Sequence, residues 1–258
     1  MRNGLALNPS KTEAIQFSLG RGRSCVDDIQ CINVSDVAIQ PASTLKSIGV
    51  VLDRRLSFDQ QVSNVCTACY YHIRAQCHIL DSLSGGVARA IACSVVSSRL
   101  DYCNALYAGM SADNFNKLQR VKNTLARVTL KLGKSDHITP SLIQLHWLWI
   151  HQHVNFKLAT LTYKILHTGQ PCYRNELIID FYQPVRQLRS SSQGLLYRHR
   201  SRTVLASGGF KHSSVAVWNN LPVDFRNCSS LSSFRSRLKT HLFCAHGLDT
   251  VPTNSSVT

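Results

Sequence analysis

Ile48-Gly49-Val50-Val51-Leu52-Asp53 separates two parts of the sequence that differ in character. An apolar run that contains β-branched residues predicts a buried strand. Directly after it, Ser57 and Gln60 have the spacing of a capping box, which predicts the start of a helix. Turns and brief apolar pairs precede this stretch, and helical periodicity follows it. The sequence therefore predicts an α+β, mostly α fold, in which a small N-terminal antiparallel sheet is followed by helices.

The residues before this stretch predict only short strands. The segment 5–17 turns at Asn8-Pro9-Ser10 and then enters a strand. The segments 32–34 and 37–39 alternate apolar and other residues around a short turn, as in a hairpin. We therefore expect a small sheet formed by these segments and residues 48–53.

Beyond residue 57, apolar residues recur at spacings of three and four, which predicts helices. The first apolar stripe runs from residue 62 to residue 80 and ends at Ser84-Gly85-Gly86. The second contains Val87, Ile91, Val95 and residues 100–103, and it is expected to end at Gly109. A short helical turn follows, in which Thr139 is the predicted N-cap and Pro140 the first helical residue. Further apolar stripes cover residues 154–165 and 231–242. These segments predict a helical bundle.

The helix predicted around Leu125 combines an apolar stripe with basic residues, and Gly133 is expected to cap its C-terminus. The polar residues around its stripe are Lys117, Arg120, Lys122, Arg127 and Lys131. The sequence therefore predicts a helix with a strongly cationic exposed face.

The charge balance favours a polyanionic partner. The 258 residues contain 29 Lys and Arg against 14 Asp and Glu, a net charge of +15. The sequence has no carboxylate between Asp180 and Asp224, and the basic residues there are Arg186, Arg189, Arg198, Arg200, Arg202 and Lys211. A nucleic-acid backbone would supply the missing negative charge.

The cysteines and the lengths of the apolar runs indicate in which cellular compartment the chain is expected. Ten cysteines occur in a chain whose first residues do not have the apolar core of a signal peptide, which favours reduced intracellular thiols. Cys66 and Cys69 coincide with the first apolar stripe, so buried thiols are favoured over a zinc site. No apolar run approaches the roughly 18 to 20 residues of a membrane helix. We therefore expect no membrane partner, no bound metal and no cofactor.

The carboxylates predict no catalytic residue. Polymerase and nuclease chemistry needs at least two carboxylates that converge on divalent cations. Asp27 and Asp28 are adjacent, but neighbouring residues of a strand point to opposite faces, which favours a solvated turn.

A series of motifs resembles the reverse transcriptase of jockey/CR1-type LINE non-LTR retrotransposons. In chain order the motifs are Leu7-Asn8-Pro9-Ser10-Lys11-Thr12-Glu13, residues 48–53, Ser98-Arg99-Leu100-Asp101-Tyr102-Cys103-Asn104, His137-Ile138-Thr139-Pro140, Leu145-His146-Trp147-Leu148, Trp218-Asn219-Asn220-Leu221-Pro222 and residues 234–243. The resemblance covers nearly the whole chain. Trp149 departs from it, because the family generally has proline at this position.

The resemblance implies three regions: residues 1–56 as the end of the palm, 57–182 as a thumb-like bundle, and 183–258 as a basic C-terminal region with a terminal helix. Residues 48–53 would be the last palm strand, which helps to hold the primer end. The family's aromatic-x-Asp-Asp motif is expected upstream of Leu7, so the resemblance implies a polymerase fragment that is inactive by itself. Magnesium would be needed only by an intact family enzyme.

Three functions remain open from the sequence. The chain is expected to bind RNA or an RNA/DNA hybrid weakly and in a salt-dependent manner, to be active only with a missing N-terminal half, or to be a translated relic. The candidate contacts are Lys11, Lys117, Arg120, Lys122, Arg127, Lys131, Tyr197, Arg198, Arg200 and Arg202. Each charge has an alternative interpretation as an ordinary surface residue, and Tyr197 as a core residue instead of a stacking platform.

Overall fold

The computed structural model describes residues 8–17, 29–34, 37–173, 194–201 and 203–248. Two compact units make up the chain, Met1–Thr67 and Ala68–Thr258. Short antiparallel strands come first and helices form most of the remainder, which confirms the predicted α+β, mostly α fold class. The three regions expected from the resemblance stay a prediction, since the border at residues 182 and 183 lies outside the described residues.

Two antiparallel hairpins supply the strands of the N-terminal unit. Strand β1 (Ile32–Val34) pairs with β2 (Val37–Ile39), and β3 (Thr44–Ser47) pairs with β4 (Val50–Asp53). The predicted hairpin at residues 32–39 is thereby confirmed. In the segment predicted as a strand up to residue 17, Ile15 makes a single parallel bridge to Ala42.

The stretch 48–53 is a strand over only part of its length. Ile48 and Gly49 form the turn between β3 and β4, with φ angles of 46° and 78°, and Ile48 is 84% exposed. Two consecutive positive φ angles are typical of the tight hairpin turn called type I′. Val50 is the only buried residue of the stretch. The prediction of a buried strand over all six residues is therefore wrong.

Asp53 organises the start of the next helix. Its carboxylate accepts hydrogen bonds from the backbone N–H groups of Arg55, Ser57 and Phe58, at 3.0, 3.0 and 2.8 Å. Burial raises the pKa of this carboxyl, but the N–H donors outweigh burial and hold the pKa below its ordinary value. Gln60 bonds instead to a side chain one turn further on, so the predicted capping box is wrong.

Helices form most of the rest of the described chain. Helices α1 to α6 are Asp59–Ile79, Gly85–Ile91, Ser98–Asp101, Ala112–Thr129, Ile138–Gln144 and Ile150–Thr168. Helices α7 to α10 are Val204–Gly208, Phe210–Asn219, Val223–Arg226 and Leu231–Leu248. The periodicity predicted α6 and α10 correctly.

A π-helical segment, Ala92–Ser97, connects α2 to α3, and the buried residues along these helices are displaced by one position from most of the predicted ones. Ala88, Ala92, Val96 and Leu100 are buried, whereas Val87 is 47% exposed. These buried residues are four positions apart, whereas an α-helix has 3.6 residues per turn. The wider π-helical turn keeps their side chains on one side of the helix. The predicted stripe is therefore wrong at Val87, whereas its residue Leu100 is buried as predicted.

The ends of α4 and α5 also differ from the prediction. Beyond α4, Lys131 has a φ of 55°, and the N–H of Leu132 donates to the carbonyl of Arg127 at 2.9 Å. This is a Schellman end in which lysine takes the position usually given to glycine. Helix α5 begins at Ile138, so the residue that precedes it is His137 and not the predicted Thr139.

A hydrophobic cluster joins α6, α8 and α10 in the larger unit. Tyr163 stacks on Phe234 with 4.5 Å between ring centroids, and its hydroxyl donates to the carbonyl of Cys228 at 2.8 Å. Other buried members are Ala159, Ile165, Leu196, Val215, Trp218, Leu221 and Leu238. This cluster holds α8 in place, and α8 carries the groups that position the basic residues described next.

Candidate nucleic-acid interface

Three basic residues predicted as contacts lie on one side of α4. Lys117, Arg120 and Arg127 fall within about 80° of the helix circumference, at about 100° per residue. The buried residues Leu118 and Leu125 lie on another side. Helix α4 therefore presents part of the predicted cationic face.

The partners of these residues differ. The Nζ of Lys117 donates to the Asn114 amide oxygen at 3.1 Å, and Arg127 donates to the carbonyl of Asp136 at 3.3 Å. Arg120 is exposed, and within the described ranges its guanidinium has no hydrogen-bond or ion-pair partner. Arg120 is thus the residue of this face with the most hydrogen-bonding capacity for a ligand.

Lys131 pairs with a carboxylate. Its Nζ lies 2.8 Å from Oδ1 of Asp81, and both side chains are largely exposed. The pair lowers the pKa of Asp81, through the hydrogen bond first and then through the charge of Lys131. Exposed pairs of this kind contribute little free energy, so Lys131 can exchange this partner for a phosphate.

Lys122 is not on the exposed face. The residue is 3% exposed, so its interpretation as a surface contact is corrected. Burial lowers the pKa of the Lys122 ammonium to about 8, opposed by the charges of Asp101 and Cys93 and assisted by that of Lys239. Its position on the helix could have indicated this, because residue 122 lies on the same side as Leu125.

Asp101, whose charge acts on Lys122, also lies close to a histidine. The Nδ1 of His153 lies 2.7 Å from Oδ1 of Asp101. Asp101 belongs to one of the motifs that carry the resemblance, and no local sequence pattern indicates that it meets His153, since the two positions are far apart in the chain. This pair joins α3 to α6.

The basic arm, defined here as residues 194–201, carries the second set of predicted contacts. Arg198 and Arg200 are exposed, and Arg202 lies outside the described residues. Tyr197 is 47% exposed and meets the His199 ring edge-on, with 4.8 Å between centroids. Its exposure makes Tyr197 available for stacking, whereas a core residue would be covered.

The motif that begins at Trp218 holds the arm. Asn219 acts as a two-point clamp: its side-chain oxygen accepts from the N–H of Leu196 at 2.9 Å, and its Nδ2 donates to the carbonyl of Leu196 at 2.8 Å. The indole N–H of Trp218 donates to the carbonyl of Gly194 at 3.1 Å. No local sequence pattern indicates these bonds, since they join residues that are more than 20 positions apart.

Lys11 belongs to the smaller unit. It is the exposed last residue of a 3-10 turn, Pro9–Lys11, whose start Asn8 caps by accepting from the N–H of Ser10 at 3.1 Å. This geometry fits both interpretations of Lys11, as a surface lysine and as a phosphate contact.

The acidic residues and thiols give no metal site in the part of the chain that the structure describes. No group of three or more His, Cys, Asp and Glu residues there could hold a metal ion. Asp27 and Asp28 are outside this part. Cys69 is buried and Cys66 is half-buried, which agrees with the interpretation of core thiols.

Comparisons of this chain with family models, with curated proteins and with solved structures gave no match. Among the described residues, no helix is both long enough and apolar enough to cross a membrane.

Proposed function

We propose that this chain is the end of the palm, the thumb and the C-terminal region of a LINE-type reverse transcriptase. Its part in that activity is to bind RNA or an RNA/DNA hybrid through α4 and the basic arm. The observation that carries this proposal is Arg120, an exposed guanidinium without a partner among the described residues, beside Lys117 on the same helix face. Such groups bind backbone phosphates with little dependence on base sequence.

The positions of the motif residues support the family assignment. Leu100, Trp147 and Leu148 are buried, and Asn219 clamps the arm, so the motifs that carry the resemblance maintain a fold. At Trp149, where the family generally has proline, the φ angle is −60°. That is the angle to which a proline ring restricts the backbone, so this departure keeps the local geometry of the pattern.

The proposal separates binding from catalysis. Nucleotide addition needs carboxylates that hold divalent cations, and the family's carboxylates belong to a motif expected before residue 7. These 258 residues are therefore expected to contribute nucleic-acid binding rather than the catalytic carboxylates. Primer extension is expected when a segment that carries the aromatic-x-Asp-Asp hairpin is supplied with it.

Fluorescence anisotropy with a labelled RNA/DNA hybrid tests the binding. We expect the Kd to rise steeply between low and physiological salt, since bound phosphates release counterions. The double variant Lys117→Glu and Arg120→Glu should weaken binding at least tenfold and reduce the slope of log Kd against log salt by about two.

A charge-matched control distinguishes this face from net charge. Lys157→Glu and Lys164→Glu change the same total charge at two exposed positions of α6. This control should bind within about threefold of the original chain. Equal losses in both double variants would show that only the overall charge matters, and an absence of binding at low salt would overturn the proposal.

A further inference from the structure

A cavity of about 350 Å³ lies between the basic arm and α8. The charged and polar residues that line it are Arg198, His199, Arg200, Ser201, Ser207 and His212. Two arginines, two histidines and two serines therefore line one concavity, and none of the described residues that line it is a carboxylate.

The chemistry of this lining suits a phosphate group. Guanidinium groups form paired, charge-assisted hydrogen bonds with phosphate oxygens, and hydroxyl and imidazole groups can donate further bonds. The volume exceeds that of a phosphate alone and lies in the range of small-ligand sites. It leaves room for the sugar that a phosphate would carry.

The arm is anchored to α8 close to the cavity. The clamp between Asn219 and Leu196 fixes the arm two residues before Arg198. Beyond the arm, the hydroxyl of Thr203 caps α7 by accepting from the N–H of Ala206 at 3.1 Å. Anchoring of the arm at Leu196 reduces the entropy that ligand binding would otherwise cost.

The positive charge of the cavity is not neutralised within the described residues. Neither Arg198 nor Arg200 has an ion-pair or hydrogen-bond partner there, and the sequence has no carboxylate between Asp180 and Asp224. A terminal phosphate monoester carries nearly two negative charges at neutral pH, whereas an internal diester carries one. A concave site with two unpaired guanidinium groups therefore favours the monoester.

We infer that the cavity between the arm and α8 binds a phosphate monoester, as presented by the 5′ end of a nucleic-acid strand or by a free nucleotide. Only the identification of the phosphate as the 5′ end of a nucleic-acid strand rests on the proposed function. The inference distinguishes two surfaces of the chain. The face of α4 contacts strand backbones, and the cavity holds the end of a strand.

Two RNA oligonucleotides of one sequence test this, one with a 5′-phosphate and the other with a 5′-hydroxyl, both labelled at the 3′ end. By anisotropy at pH 7.5, we expect the full chain to bind the phosphorylated strand about tenfold more tightly. The variant Arg198→Gln with Arg200→Gln should lose this preference. Lys117→Gln with Arg120→Gln should weaken binding of both strands but keep the preference. Circular dichroism checks that each variant is folded.

The outcomes separate this inference from the proposed function. Equal binding of the two oligonucleotides, or a preference that persists in the Arg198 and Arg200 variant, overturns the cavity site and leaves backbone binding intact. If neither oligonucleotide binds but adenosine monophosphate does, and the variant abolishes that binding, the cavity stands with a free nucleotide as its ligand and the proposed function falls. Absence of binding to all three probes overturns both.

Discussion

Gly109 and Gly208 lie in contact, backbone against backbone. A Cβ on Gly208 would lie 2.6 Å from the carbonyl oxygen of Ala108, and a Cβ on Gly109 would lie 2.6 Å from the Cα of Gly208. Gly109 precedes α4 and Gly208 ends α7. Because neither glycine has a side chain, the end of α7 can lie close to the residues that precede α4.

Gly208→Ala should destabilise the larger unit by about 1–3 kcal/mol, because backbone atoms would have to move to admit the methyl group. Gly86→Ala is the control, since nothing lies within 4 Å of its Cβ position. This control should leave stability unchanged or raise it by up to about 1 kcal/mol through helix propensity. Urea unfolding followed by tryptophan fluorescence measures both variants. Equal stability of the two would show that the helices can separate without cost.

Asn219→Asp should release the basic arm. The carboxylate of the variant can still accept from the N–H of Leu196, but it cannot donate to the Leu196 carbonyl. Its second oxygen would face that carbonyl oxygen, and two acceptors repel each other. We expect a loss of about 1–3 kcal/mol and faster tryptic cleavage after Arg198 and Arg200. Asn220→Asp introduces the same charge at the exposed neighbouring position and should change neither. Unchanged cleavage rates in Asn219→Asp would contradict the clamp.

The stability of the larger unit should rise as the pH passes from about 8 to about 10.5. Burial lowers the pKa of Lys122 to about 8, whereas the unfolded chain keeps this proton up to about 10.5. The unfolded state therefore binds more protons across this window, and the free energy of unfolding increases by up to about 3 kcal/mol. Below the lower pKa the penalty for the buried charge is present in full.

Lys122→Met removes this penalty and tests its origin. The variant should be more stable than the original chain near pH 7 and should not gain the additional stability at higher pH. Lys164→Met, at an exposed position of α6, should keep the original pH profile. Denaturant unfolding at a series of pH values gives the comparison. If both substitutions left the same pH dependence, another group would be responsible.

Ile48→Asn should stabilise the β3–β4 hairpin by about 1 kcal/mol. Ile48 has a φ of 46°, and branched side chains are strained there, while asparagine before glycine suits a type I′ turn. Native-state hydrogen exchange of the hairpin amides measures the effect. Ile143→Asn is the control, because Ile143 is also an exposed isoleucine, with 45% of its surface accessible, but lies in helix α5. Slower exchange in the first variant alone is expected.

The regular helices could be predicted because their apolar spacing matches 3.6 residues. Helices α6 and α10 follow that rule, and the line of buried residues through Ala92 and Val96 does not, because a π-helical turn interrupts it. Local rules also failed where a residue took a conformation that it rarely adopts. Lys131 has the left-handed geometry expected of glycine, and Ile48 occupies a turn position that favours asparagine.

For the candidate interface, the sequence could indicate which basic residues are present but not how they are arranged. Arg120, Arg198 and Arg200 are exposed as expected, but the burial of Lys122 depends on the direction in which its side chain leaves α4. The clamp formed by Asn219 and the cavity beside it arise from contacts across more than ten residues. No local pattern specifies which distant backbone groups a side-chain amide will meet.

The bond from the Tyr163 hydroxyl to the Cys228 carbonyl joins residues separated by 65 positions, and the Tyr163 ring is covered by Phe234. During synthesis, α6 therefore leaves the ribosome well before the residues that will cover it. Until α10 has emerged, the nascent chain carries an uncovered apolar helix face, which is when a chaperone would be most needed.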